Sequence, residues 1–392
     1  MTMRCVTFIN ADMGPGLPSS LRVRGARIEA LGESPRPGEL VVNLEGDRLV
    51  PGLINAHDHL QLNSFTLPDY GRRYRNASEW IADFNARMVG SPGFETGRAI
   101  ARDERLLHGA LKNLLSGVTT VAHHDALYPL LTSAAFPIQV LQSYGWSHSL
   151  QIDREEGVRD SYRRTPADCP WIIHAAEGVD DSAAGEFDCL EALGCLKPNT
   201  LLVHGVALDG ARRARLAAVG AGLIWCPTSN LRLFGATAEV TDLVSRGRVA
   251  LGSDSRLTGG RDLLEELHVA REVTGLDEHT LESLVTEAGA RLLRLGDRGV
   301  LRAGARADLL VLPARLPLSR AARRDIRLIM LGGNMCCGDR DLAEVMLAGS
   351  QHHEVCIDGR AKLVGARLGA LLDSAAALET GLESSAAAGR AA

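Results

Sequence analysis

The sequence predicts an α/β fold, with a middle section of parallel strands joined by crossover helices, in a closed barrel or an open sheet, between two β-rich ends. From about residue 50 to 295, apolar runs of four to seven residues alternate with longer stretches of helical periodicity, the pattern of strand–crossover–strand units. Both ends show short strand-like runs broken by turn residues instead. Forty-one glycines against seven Phe, five Tyr and four Trp in 392 residues fit a turn-rich chain with an aliphatic core.

In order along the chain, Arg4–Ile9 alternates, Ser20–Arg24 and Arg27–Leu31 flank a Gly25-Ala26 turn, and Glu39–Leu44 ends at Gly46-Asp47. After the strand that leads into His57 come Gly117–Ala122, Pro137–Leu141, Trp171–Ile173, Thr200–Val203, Gly222–Trp225 and Val249–Leu251. Helical spacing marks Ile100–Leu115, Asp188–Leu193, Leu208–Val219, Leu263–Thr274 and Thr280–Leu293. This makes seven strands rather than eight: the gap between Tyr144 and Trp171 holds one helix, Glu155–Arg163, and no second clear strand. A barrel built on this pattern is distorted or lacks one βα unit. Strand rhythm resumes at Arg306–Leu312, Leu342–Leu347 and Glu354–Ile357. After Gly369 the chain is rich in Ala, Ser and Gly and is expected to form one short helix, then fray into a partly disordered tail.

A chain that is 45% hydrophobic and 23% charged is globular, and a net charge of −5 without a Lys/Arg run argues against nucleic-acid or anionic-membrane partners. The first residues lack the features of a signal peptide, and no apolar stretch reaches the length of a membrane span. Cysteines 5, 169, 189, 195, 226, 336, 337 and 356 form no CxxC pair and read as reduced thiols, so a cytoplasmic protein is expected.

The chemistry sits where strands of the middle section end, the edge at which barrel enzymes build their sites. Val50–Leu60 ends a strand with His57 and His59. Side chains alternate along a strand, so these two share one side and can share a cation while Asp58 faces outward. Trp171–Gly178 offers His174 as a third imidazole, with Glu177 on the following turn as a proton shuttle in a pocket that raises its pKa. His204 ends an apolar strand and suits either a fourth imidazole ligand or a base acting on metal-bound water. Ser229 and Asn230 follow Cys226-Pro and suit helix capping better than orientation of neighbouring groups. Asp254 follows Gly252-Ser253 and completes a set of three imidazoles and one carboxylate with a position open for water, as in catalytic sites.

The segments Pro51-Gly-Leu-Ile-Asn-Ala-His-Asp-His59, His174-Ala-Ala-Glu177, His204-Gly205, Cys226-Pro-Thr-Ser-Asn230 and Gly252-Ser-Asp254, in this order, resemble the metal-dependent amidohydrolase superfamily. Within it the chain looks most like the branch of cytosine, guanine and S-adenosylhomocysteine deaminases and triazine hydrolases. The run Gly299–Leu312 resembles that branch's return strand. The resemblance spans about residues 40 to 312. It implies a TIM-like (β/α) barrel over 50–299 and a small composite β-sandwich from 1–49 and 300–368, leaving 369–392 as the tail. It further implies that His57, His59, His174 and Asp254 bind one divalent metal, zinc ahead of iron or manganese, and that Glu177, His204 and Asp254 are catalytic. None of Lys112, Lys197 and Lys362 ends a strand, as the bridging lysine of binuclear relatives would, so one metal is expected.

The implied reaction is hydrolytic deamination of a heterocyclic or amidine-type C–N bond in a small molecule. The alternatives are hydrolysis of a cyclic amide, imide or lactone, halide displacement from an azine, and a non-catalytic metal-binding protein. Gln61, Asn63, His123, His124, Tyr144, Trp146 and His148 lie where a pocket should be and are candidate substrate contacts. His108, His268 and His279 fall in helical stretches and read as surface residues, and His352 and His353 as loop residues. A homodimer is the default expectation.

Overall fold

The computed structural model describes residues 5–65, 71–87, 89–348 and 350–384. Eight short parallel strands form the middle section: β1 (Leu53–Asp58), β2 (Val118–His123), β3 (Gln139–Val140), β4 (Gly145–Ser147), β5 (Trp171–Ala175), β6 (Thr200–His204), β7 (Gly222–Trp225) and β8 (Val249–Leu251). One ladder runs β8-β7-β6-β5-β4 and another β1-β2-β3. They are joined where the amides of Ser253 and Asp254 both donate to the carbonyl of His57, each at 3.0 Å.

The ends of this row are β3 and β4, joined by residues 141–144 alone. Parallel neighbours need a crossover of a dozen or more residues, so these two cannot pair side by side. Leu141 instead continues the ladder to β2, donating to Val121, and Gly145 begins the ladder to β5, donating to Pro170. One path therefore changes partners midway. Counted as ladder segments there are eight strands, and counted as paths seven; the sequence reading missed Gly145–Ser147. The β3–β4 connection has no helix and the β2–β3 connection only a 3-10 turn, Pro129–Thr132, while helix α4 (Leu150–Arg164) follows β4.

Alternation gives the row two faces. Ile172, Leu201, Val203, Ile224 and Ala250 meet in one apolar cluster with Ile54 and Ala56 of β1. Their neighbours Trp171, Ile173, Leu202, Leu223, Trp225, Val249 and Leu251 pack in another with the helices. Same-parity residues from strands along both ladders can share one cluster only on a concave side, so the section is barrel-like. Helices begin where side chains cap their free amides: Ser149, Asp180, Asp209, Asp262 and Asp277 each accept from an amide two or three residues on.

At the N-terminal end, strands 27–31, 21–24, 5–9 and 40–43 form a sheet in that order. Strands 382–384, 352–357, 360–365, 334–338, 328–331, 309–312 and 48–51 form another, and Pro51 leads straight into β1. Phe8, Val23 and Val42 of the first share an apolar core with Leu309, Val311 and Met330 of the second.

Several expectations are corrected. Leu342–Leu347 is not a strand but lies in a helix, Arg340–Met346, because its buried residues Leu342, Ala343 and Met346 follow helical spacing. Thr280–Leu293 is two helices, Glu278–Leu284 and Glu287–Leu292. His108 is buried on helix α3 (Arg102–Leu115), where its Nε2 faces Glu379 at 2.9 Å. His352 and His353 belong to a strand. The segment from 366 does not fray after its helix: Glu379 is buried, and 382–384 pairs with 355–357. Residues 385–392 lie outside the described residues. No helix among the described residues is long and apolar enough to cross a membrane.

Candidate metal centre and its cavity

Strict alternation along β1 would turn His57 and His59 away from the inner face that Ile54 and Ala56 share. The β1–β2 pairing is irregular between Asn55 and Asp58, and such a bulge re-aims the residues that follow. His57 and His59 point inward as a result, and Asp58 outward as expected. His174 extends β5 on the inner parity of Ile172. Its Nδ1 lies 2.8 Å from the carbonyl oxygen of His148, which only accepts, so the proton is on Nδ1 and the Nε2 lone pair is free.

That Nε2 lies 3.2 Å from His57 Nε2 and 3.3 Å from His59 Nε2. Two nitrogens ligating zinc at about 2.0–2.1 Å with a tetrahedral angle stand about 3.3–3.4 Å apart, so three converging lone pairs at this spacing fit one cation. Asp254 Oδ1 lies 4.0 Å from His57 Nε2 and 3.9 Å from His59 Nε2. Its other oxygen accepts from Thr258 Oγ1 at 2.8 Å, which leaves Oδ1 facing the imidazoles. Burial, reinforced for His57 and His174 by the neighbouring imidazoles, holds all three histidines below their usual pKa, and neutral rings are the ligating form. The donor set suits a divalent metal.

His204 ends β6 with φ 76°, a left-handed conformation that a β-strand residue adopts only under constraint. Its Nδ1 donates to Asn230 Oδ1 at 2.9 Å, leaving Nε2 as the acceptor, 3.6 Å from Glu177 Oε1. Asn230 thus orients His204, the role the sequence reading ranked behind capping; Ser229 bonds the Cys226 carbonyl. Burial pushes the Glu177 carboxyl up to about 7, helped by Asp254 and opposed by His204. Glu186, whose Oε2 accepts from the amide of Ala176, is likewise pushed up to about 7, chiefly by burial.

Beneath the histidines lies a polar network that the sequence reading did not find. Lys112 on α3 is fully buried, and its ammonium donates to Asp58 Oδ2 at 3.1 Å, Asn63 Oδ1 at 2.8 Å and Ser253 Oγ at 3.1 Å. Asp58 also accepts from the side-chain amides of Asn63 and Asn113, at 2.8 and 2.7 Å. Asn55 Oδ1 accepts from the amides of His57 and Ser253, fastening β1 to the end of β8. The scarcity of lysine was a signal, read only for what the lysines do not do.

A cavity of about 490 Å³ opens above His59, His174, Glu177, His204 and Asp254. Of the candidate substrate contacts, Gln61 and His148 line it; Asn63, His123, His124, Tyr144 and Trp146 do not. Asn63 is spent on Lys112 and Asp58. Tyr144 donates to the carbonyls of His123 and Asp125. His123 and His124 are buried, and Trp146 packs against the rings of His124 and His148. The opposite wall comes from helices α1 (Ala77–Arg87) and α2 (Pro92–Ala99), where Trp80, Phe84 and Phe94 join Phe65. Those helices escaped the sequence reading, although six aromatics between residues 65 and 94 in an aromatic-poor chain could have marked a pocket.

A row of parallel strands with imidazoles and a carboxylate converging at its carboxyl end defines an α/β protein of the TIM-barrel type with a candidate metal site. Residues 165–336 match the model of the amidohydrolase family. It is 23% identical over 383 residues to a 5-methylthioadenosine/S-adenosylhomocysteine deaminase of Nitratidesulfovibrio vulgaris, covering 81% of this chain and 86% of that protein. A protein so named from Syntrophobacter fumaroxidans is 34% identical over 203 residues, 44% of this chain and 46% of its own length. Among solved structures, atrazine chlorohydrolase from Arthrobacter aurescens complexed with zinc superposes with a TM-score of 0.69 at 16% identity, covering 86% of this chain and 96% of that one. An adenosine deaminase from Xanthomonas campestris with bound zinc gives 0.63 at 19% identity, covering 87% and 94%.

Proposed function

We propose that this chain is a hydrolytic deaminase of a planar nitrogen heterocycle, with one divalent cation, zinc, held by His57, His59, His174 and Asp254. The observation that carries the reading is the convergence of three Nε2 atoms and one carboxylate oxygen at the floor of a cavity that also holds Glu177 and His204. A cation bound there supplies Lewis acidity and lowers the pKa of a ligated water.

The chain's own groups would do the rest. Glu177, titrating near 7, is populated in both forms at neutral pH, so it can take a proton and deliver it to the departing nitrogen. His204, fixed by Asn230, offers Nε2 as an acceptor on the same side of the cavity, and Asp254, its Oδ2 held by Thr258, turns Oδ1 toward the imidazoles. Among the described residues, three buried polar atoms of the cavity wall have no partner: Gln61 Oε1, an acceptor, Trp80 Nε1, a donor, and Ser255 Oγ, which can do either. A ring bearing both an N–H and a bare ring nitrogen would satisfy them between aromatic walls.

The test is ammonia release over a panel of purines, pyrimidines, triazines and cyclic amides, with metal content measured alongside. Glu177→Gln should retain the metal and lose at least about 10²-fold in kcat on the best substrate. Undiminished turnover in that variant removes Glu177 from the reaction, and products formed without ammonia would assign these residues to another hydrolysis.

A further inference from the structure

The wall of the cavity and the turn that carries Glu177 are built on one another. Helix α1, which brings Trp80 and Phe84 to the cavity, begins at Ala77, whose amide donates to the carbonyl of Glu177 at 2.9 Å. The amide of Val179 donates to the carbonyl of Arg75 at 2.7 Å, so Asn76 and Gly178 pair as an antiparallel bridge. The two backbones touch there: a Cβ on Gly178 would stand 2.4 Å from the Arg75 carbonyl oxygen and 2.6 Å from Asn76 Cα. The side chain of Asn76 closes the junction. Its Oδ1 accepts from the amide of Glu79 at 3.0 Å and caps α1, while its Nδ2 donates to Asp180 Oδ2 at 2.6 Å. Asp180 in turn caps helix α5 (Asp181–Ala192), its Oδ1 accepting from the amide of Ala183 at 3.0 Å. One amide–carboxylate contact thus ties the caps of two helices across the turn that follows His174. Because α1 has no fully buried residue, this junction rather than a packed face fixes where the helix starts.

We infer that Asn76 is a positioning residue: by docking α1 on the Glu177 turn it makes the aromatic wall and the proton-transferring carboxyl one unit, so that a ring seated against Trp80 meets Glu177 in a fixed place. This rests on the deaminase reading above, in which Glu177 moves the proton, and adds the link between substrate binding and that transfer. Trp80 supplies contact with the ring; Asn76 touches no substrate and sets the geometry through α1 and Asp180.

The test is an exchange of the two groups. Asn76→Asp keeps the cap of α1, since Asn and Asp cap equally well, but sets a carboxylate against Asp180. Adding Asp180→Asn restores the contact with both caps intact. On the best substrate of the panel, Asn76→Asp should lower kcat about 10-fold or more and raise KM, with zinc affinity within about twofold of wild type, and the exchanged pair should recover kcat to within about threefold. Hydrogen exchange read by mass spectrometry needs no substrate: the segments holding the amides of Ala77 and Val179 should lose protection in the single variant and regain it in the pair. If circular dichroism shows that Asn76→Asp does not fold, Asn76→Ser, which caps without reaching Asp180, takes its place. Unchanged protection or kinetic constants within about twofold of wild type in the single variant, or an exchanged pair no better than the single one, overturns the positioning role. Undiminished turnover in Glu177→Gln, measured beside them, overturns the underlying reading instead, whatever the exchange shows.

Discussion

Replacing Lys112 with Met tests whether the buried network is what holds the metal-facing strands in place. The Lys112 ammonium is wholly enclosed and all three of its protons are engaged, on Asp58, Asn63 and Ser253. Removing one partner of a buried ion pair costs about 3–5 kcal/mol, because the other charge is left without compensation. Asp58 keeps the amides of Asn55, Asn63 and Asn113 and the Ser253 hydroxyl, which favours the lower end, about 3 kcal/mol. An unfolding entropy of about 2.1 cal/mol/K per residue over 392 residues is about 0.8 kcal/mol/K, so Tm should fall by about 4 °C. Scanning calorimetry of metal-free protein measures this without the contribution of metal binding. Adding Asp58→Asn to the Lys112→Met chain removes the stranded carboxylate and should recover most of the loss. A fall of less than about 1 °C, or a double variant no more stable than the single one, refutes the assignment of an energetically coupled pair.

Thr258→Val frees the second oxygen of Asp254 and should weaken metal binding about 10-fold in a chelator competition, with the fold intact. Trp80→Ala removes one aromatic wall and an unpaired donor; KM for the substrate found in the panel should rise about 2- to 12-fold, the worth of one aromatic contact, with kcat nearly unchanged. Glu379 gives a pH prediction. Burial alone would raise its pKa, but Arg323, His108 and Arg256 overcome that and hold it well below the usual carboxylate range. The folded value lies below the unfolded one of about 4.3, so its stabilisation is present above that pH and is lost as the pH falls below it. Urea unfolding at neutral pH and near pH 3.5 should show Glu379→Gln less stable than wild type at neutrality, with a smaller loss on acidification. An equal loss in both chains would separate Glu379 from the acid sensitivity.

The alternation of apolar runs and helical stretches was enough to place β1, β2 and β5 to β8 within a few residues, because each is buried on both faces and reads as a continuous apolar run. β4 escaped for the opposite reason. Gly-Trp-Ser offers three residues with no aliphatic one among them, and only its ladder to β5 makes it a strand. Helices α1 and α2 escaped because α1 has no fully buried residue and α2 only Gly97, so neither shows the apolar stripe that periodicity detects. Their aromatics face a cavity rather than a core. Polar residues at apolar strand ends were legible one by one. Asn63 and His124 were expected to contact substrate but do not line the cavity, since their partners, Lys112 on α3 and the Ser147 carbonyl, lie 49 and 23 residues away in sequence.

What local pattern could not supply was the direction of the side chains that do chemistry. On β6, Leu201 and Val203 face the inner cluster and Leu202 the helices, so alternation would send His204 outward with Leu202. It reaches the site because its backbone adopts φ 76°, and Ala176, between His174 and Glu177, and Asp254 are also left-handed, at φ 53° each. On β1 a register shift does the same for His57 and His59. Conformations of this kind cost about 1–3 kcal/mol each and persist only where the surroundings over-determine them. The surroundings are those described above: Asn230 on His204, Thr258 on Asp254, Glu186 on the amide of Ala176, and Asn55 between β1 and β8. Each is a polar side chain spent on a neighbour of the site rather than on substrate, and each therefore has a test that the ligands do not share. Truncating it should release the strained backbone, leave the metal-facing atoms chemically present, and lower metal affinity or kcat through geometry alone.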